Sequence, residues 1–363
     1  LQMIAYDVMG VQAMSMPTGM IFAMRSRYGV DKQTPQGAEA LFNVVDTGFS
    51  GAALGGGAQT TSPLSVSATT PPTVSDNATF AYGAGGVGGG TGNTTANAET
   101  GTIGDMSMSF DRVSVTAETR KLKASYSIEL AQDLKALHGL DAEVELSNIL
   151  SREITSEVNR QVLGSIYGSA VIGAANCAVQ GLFDLETDTS GRWTVEKFKG
   201  LMFQIEREAN QIFMDTRRGK GNIVICSADV ASALSMAGLL DYNSGLTGKG
   251  ELLDADLGSS TYAGVLHGRF KVYIDPYLST ASDRHVVTVG YKGSDKYDAG
   301  KFYCPYVQLQ ALRGAVDPAT LQPVIGYQTR YGLADNPFAL TGSGVNTRNM
   351  YYRKFLVANL SVA

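Results

Sequence analysis

Three histidines, three cysteines and one glycine-rich stretch are where this chain of 363 residues could carry chemistry. His138, His267 and His285 stand apart; none lies in HExxH, and none has a serine or cysteine nearby in the context of a nucleophile. His138 falls in the last turn of an expected helix, where an imidazole suits the dipole, and the other two border expected strands. Cys177, Cys226 and Cys304 show no CxxC or Cys/His spacing, and their odd number argues against a disulfide framework or a zinc site. Each sits in or near an apolar segment, so buried free thiols are expected.

Gly83, Gly85 and Gly88 satisfy GxGxxG, but the motif needs a strand before it, a helix after it and an acid about twenty residues on. Alanine, threonine and asparagine surround it instead. Gly245–Gly250 contains Lys249 without the spacing or the hydroxyl of a phosphate loop, and GxSxG does not occur. Asp254 and Asp256 are too few for a calcium loop. Arg217, Arg218 and Lys220 could meet phosphate, yet a solvated turn explains them as well. The Asn-x-Ser/Thr triplets at Asn77, Asn93 and Asn359 have no secretory context. The expectation is a chain without catalytic residues, metal ligands or cofactor, and not an enzyme.

Composition points the same way. Charged residues make up 17% of the chain, glycines number 42 and the net charge is −5. Few charges suit a protein that hides much of its surface against copies of itself. An extended β-rich adhesin would look similar. The acidic balance excludes a strong nucleic-acid reader but not a container for nucleic acid. No apolar run is long enough to span a bilayer, and no signal peptide is visible.

The elements that would position any surface read as follows. Residues 1–48 form an arm that must lie on something else. From 49 to 98 the only charged residue is Asp76, and the stretch reads as a long loop ordered by a neighbour rather than a linker. Residues 106–118 alternate as a strand whose phase flips near Asp111–Arg112. Ser127 caps a short helix that Gly139 ends. Asp141 opens a second helix to about Tyr167, with Leu146, Ile149, Leu150, Ile154, Val158, Val162 and Ile166 on one stripe, roughly 40 Å long at 1.5 Å per residue. Thr194 caps a third helix along Val195, Phe198, Met202, Ile205, Ala209 and Ile212. Strands are expected at Asn222–Cys226, Phe270–Ile274, His285–Tyr291, Val307–Leu312 and Pro323–Tyr331, a helix from Ser227 to about Ala237, and a loop at 239–260. The irregular alternation indicates an α+β fold. Arg152, Glu153, Glu157 and Arg160 line the polar side of the long helix, and Arg25 and Arg27 follow the arm's apolar run. All six are candidates for contacts between subunits, with a solvated face as the plainer reading for the helix.

The run Ser127–Leu150 (SIELAQDLKALHGLDAEVELSNIL), continuing through Arg152–Ile154 and Glu157–Arg160, closely resembles the major capsid proteins of T-even-type tailed phages. Met16–Arg25 (MPTGMIFAMR) is similar to that family's arm, and Pro323–Tyr331 to its returning strand. The resemblance implies an HK97-type capsid fold: N-arm 1–48, E-loop 49–118, P-domain 119–172 with the spine helix, A-domain 173–312, and a return to the P-domain over 313–363. It implies self-assembly into hexameric capsomers of an icosahedral head around double-stranded DNA. The partners it implies are copies of the chain, vertex, portal, scaffold and decoration proteins, a prohead protease acting on the precursor, non-specific contact with packaged DNA, and no membrane. The location implied is the virion, after assembly in the host cytoplasm, and the start at Leu1 would follow from maturation cleavage. Two departures stand out. The E-loop region is too poor in apolar residues for the folded insertion of T-even relatives, and no lysine lies between Lys32 and Lys121 to donate a cross-link. The alternatives are an encapsulin-like shell, or an oligomeric enzyme or ligand-binding protein using 173–312.

Overall fold

The structure is a computed structural model and describes residues 3–29, 39–42, 49, 95, 99, 104–189, 193–238, 240–241, 262–278, 284–295, 297–318, 320–341 and 347–360. The glycine motif, Asn77, Asn93, Asp254, Asp256 and most of the 239–260 loop lie outside them. In chain order the elements are α1 (Ala5–Val8), β1 (Gly10–Val11), β2 (Thr18–Tyr28), β3 (Met106–Thr116), β4 (Glu118–Ser125), α2 (Ile128–His138), α3 (Ala142–Ser169), β5 (Ala170–Ile172), β6 (Leu182–Asp184) and α4 (Thr194–Thr216). Then follow β7 (Ile223–Cys226), α5 (Ala228–Met236), β8 (Leu240–Asp241), β9 (Tyr262–Leu266), β10 (Phe270–Ile274), β11 (Arg284–Gly290), β12 (Lys301–Val316), β13 (Pro323–Asp335), β14 (Leu340–Thr341) and β15 (Arg348–Ala358). The α+β expectation holds.

Two compact units emerge: one of residues 1–21 with 113–363, the other of 22–112. In the first, a sheet runs β1-β12-β13-β4, and a larger one runs β14-β15-β11-β7-β10-β9-β8, with β5 and β6 also paired to β15. The expected boundary at 312 therefore falls inside β12. Strand β15, within the 313–363 segment expected to return to the P-domain, joins the sheet of β7 and β10. The second unit contributes a ribbon of β2 and β3. Arg27 Nε donates to Ser109 Oγ across it at 2.9 Å.

Local chemistry sets the helices. The Ser127 hydroxyl accepts from Leu130 N and Gly139 takes the left-handed C-cap at φ 66°, so α2 begins and ends where expected. Asp141 accepts from Glu143 N and opens α3, which runs two residues past Tyr167 because Gly168 stays helical; the extended Ala170 caps it. Its core stripe is Leu150, Ile154, Val158, Val162 and Ile166, all buried, whereas Ile149 is 59% exposed. Thr194 is the first residue of α4, not its cap: Trp193 takes the extended cap conformation and makes no side-chain cap bond. Phe198, Met202, Ile205, Ala209 and Ile212 then bury as their spacing requires.

The larger sheet and α4 meet around a buried ion pair. Arg353 on β15 donates through Nε to Glu208 on α4 at 2.7 Å and through Nη1 to Asp215 at 3.0 Å. Glu208 also accepts from Ala174 N and from Gln204 Nε2, each at 2.8 Å. Both of its oxygens are thus paired where water cannot reach. A Cβ on Gly173 would stand 2.5 Å from Glu208 Oε2, so this turn needs glycine. Replacing Arg353 with Met strands the carboxylate, and the cost expected is about 3–5 kcal/mol. Urea unfolding of the unassembled chain measures it; an unchanged midpoint would contradict the role given to the pair.

Candidate self-assembly surfaces

The frame comes first, because two of the six charged candidates, Glu157 and Arg160, take part in it. Arg120 on β4 reaches α3 and β13 together: Nη1 to Glu157 Oε2 at 3.1 Å, Nη2 to Gln161 Oε1 at 2.8 Å and Nε to Tyr331 OH at 2.7 Å. The Tyr331 hydroxyl donates to Gln161 as well. Further up the helix Ser147 Oγ bonds the Tyr327 hydroxyl. On the other sheet, Asp275 just past β10 has a fully covered side chain. Tyr167 OH donates to it at 2.9 Å, Tyr277 N at 3.0 Å and Arg160 Nη1 at 3.4 Å. Burial first, then the Asp275 charge, pushes Tyr167 well above the usual phenol range. The Arg160 guanidinium lies 5.2 Å from the centre of the Tyr277 ring. Glu157 and Arg160 therefore engage partners within their own chain. So do Arg25, 3.5 Å from Glu39 Oε2, and Arg27 through Ser109. Arg152 and Glu153 are exposed on α3, and so are Glu157 and Arg160 despite these partners.

What each unit leaves to solvent includes bare apolar faces. On the ribbon, Phe22 is 65% exposed, Phe110 70%, and Met24, Met106 and Met108 each more than half. The Arg27–Ser109 bond puts the odd-numbered residues of both strands on one face, so these even-numbered side chains share the other. Helix α2 buries none of its residues; Ile128, Leu130 and Leu137 all stand out. Exposed Leu140, Val144 and Ile149 continue the bare surface onto α3. A sequence pattern records that a helix has an apolar face, not whether that face is covered by its own chain.

The residues first sought for chemistry are placed otherwise. His285 Nδ1 lies 3.2 Å from Ser227 Oγ and 3.5 Å from Asp229 Oδ2. The trio suggests a nucleophile and base, but Ser227 is 1% and His285 4% exposed, so no substrate reaches them. The contact ties β11 to the start of α5, where Ser227 makes no side-chain cap bond. Among the described residues no His/Cys/Asp/Glu group could hold a metal ion. Cys226 and Cys304 are buried as expected, while Cys177 is half-buried. Burial pushes Cys226 up to about 12 and Cys304 to about 11; burial, then the charges of Asp188 and Glu208, takes Cys177 to about 11. At pH 8 about one thiol in a thousand is then thiolate at the most acidic site, so iodoacetamide should leave the native chain unlabelled and label all three cysteines in urea. Fast native labelling, read by mass, would contradict this.

The model of the family described as "Major capsid protein Gp23" matches residues 1–357. The major capsid protein of Vibrio phage KVP40 is 39% identical over 420 residues, covering 99% of this chain and 80% of its own length. That of Enterobacteria phage T4 is 38% identical over 389 residues, covering 93% and 73%. Among solved structures, a chain of the capsid of Myoviridae Phage XM1 aligns over 98% of this chain and 92% of its own at 7% identity. Its TM-score of 0.47 is too low to carry an argument.

Proposed function

The chain belongs to the major capsid protein Gp23 family of T4-like tailed phages, and from that premise we propose that it closes into an icosahedral head of hexameric capsomers around double-stranded DNA. The observation that supports this most is the display of bare apolar faces on the ribbon and on α2, in a chain where charged residues are only 17%. Each Phe or Met moved from water into a contact is worth about 1.5–3 kcal/mol before ordering costs. Many such modest contacts, repeated by symmetry, close a shell. We assign the 22–112 unit to the E-loop, which moves the end of the N-arm to Ile21. The sheet of β4, β12 and β13 with α3 is assigned to the P-domain, and the sheet of β7, β10, β11 and β15 to the A-domain. This is the HK97-type plan.

The role is mechanical rather than catalytic, and the location is the virion. The partners that go with it are copies of the chain, vertex, portal, scaffold and decoration proteins, a prohead protease acting on a precursor, and packaged DNA. Family membership does not favour the encapsulin-like shell or the oligomeric enzyme. Negative-stain electron microscopy of the purified chain should show angular shells with five- and six-fold capsomers; a uniform small oligomer would overturn the proposal. A chain carrying Phe22→Lys and Phe110→Lys should keep its melting temperature within a few degrees and lose shell formation. Normal shells from that variant would remove the ribbon from the interface.

A further inference from the structure

The sheet β1-β12-β13-β4 ends in two edges of opposite character. Its β4 edge carries Glu118, Arg120, Lys121 and Lys123 within eight residues, the charge pattern that keeps an edge from recruiting another strand. At the other edge, β1 covers β12 only at Phe302 and Tyr303, in parallel register. The arm continues that pairing through Gln12 N to Tyr303 O and Met14 N to Pro305 O, then leaves. Beyond it, Tyr306–Val316 has a strand on one side only among the described residues, and it carries a single charged residue, Arg313. Leu309 and Leu312 are 39% and 50% exposed. Register shifts against β13 interrupt this stretch, which leaves Gln310, Ala311 and Leu312 as a regular run opposite Gln328, Tyr327 and Gly326.

Beside this edge lies a cavity of 460 Å³ lined by Met3, Tyr6, Ile154, Val158, Gln308 and Leu309, among others. An edge with a strand on one side only, next to a side-chain pocket, is the pair of features by which a sheet takes up an added strand: main-chain bonds hold it, and the pocket selects alternate side chains. We propose that an extended segment of a second copy of this chain pairs with β12 at Val307–Leu312 and seats a side chain in this cavity. The arm's own pairing with the same edge at Phe302–Pro305 shows that the edge accepts extended chain, and the new contact continues that one. A second copy fits because an edge with so few charges places no like charges opposite one another when many copies meet.

The inference rests on the shell reading, and the test separates the two. Hydrogen exchange by mass spectrometry compares peptides over 306–316 in unassembled and assembled chain. Amides at 307–312 should slow at least tenfold on assembly. A chain with Leu309→Lys and Leu312→Lys should keep its melting temperature and assemble poorly. Shells whose 307–312 amides exchange as fast as in the free chain would overturn the edge pairing and leave the shell reading standing. A chain that forms no shells would overturn both. If the lysine variant fails to fold, the wild-type exchange decides alone.

Discussion

A helix of 28 residues is not kept in place by its own hydrogen bonds; α3 has to be held along its length, and each sheet holds it by different means. Toward β13 and β4 the grip is polar, from the Ser147–Tyr327 contact to the cluster of Arg120, Glu157, Gln161 and Tyr331. Toward the larger sheet it is the covered carboxylate of Asp275, gathering Arg160, Tyr167 and the Tyr277 backbone. Between them runs the apolar stripe from Leu150 to Ile166. Stripe contacts resist separation but permit sliding; directional bonds at separate points fix register. One rigid member thus sets where both sheets stand, and with them the β12 edge and the exposed end of α3.

The buried Arg353–Glu208 pair performs the matching task inside the larger sheet. A hydrophobic pair of equal volume would be no less stable, but it would not hold Gly173 and Ala174 in the turn by which the chain leaves β5. Polar contacts specify geometry, and apolar surface supplies the drive to associate. These two jobs fall on different residues here: Arg120, Tyr331, Asp275 and Arg353 fix geometry within the chain, while the methionines and phenylalanines of the ribbon point out.

The sequence made much of this legible. Periodicity and caps located α2, α3, α4 and α5 to within a few residues, and β10 matches its expected span. The flip in phase expected near Asp111–Arg112 does not appear in β3: odd-numbered positions are the more covered before it, at Ser107 and Ser109, and after it, at Val113 and Val115, so what changes there is which face carries the apolar side chains. What stayed hidden has physical causes. Strand β15 escaped notice because Arg353 and Lys354 interrupt its apolar run, and only the position of Glu208 on α4, 145 residues away, explains how Arg353 can be buried. Strand β4 reads as polar because it is a guarded edge. Pro305 suggested a strand start, yet β12 runs through it: the register against β13 shifts between Pro305 and Val307, and bulges tolerate proline. Arg25, Arg27, Glu157 and Arg160 were visible as charges of consequence; their partners lie too far along the chain for spacing to reveal.

The central claim is that assembly is driven by covering apolar surface which the rigid subunit leaves bare, not by pairing surface charges. The heat-capacity change of assembly tests this most directly, measured by calorimetry of shell formation at several temperatures. Covering apolar surface lowers heat capacity by about 0.45 cal/mol/K per Å². A clearly negative change that persists at high salt is the result predicted. A change near zero, with assembly abolished by moderate salt, would contradict it.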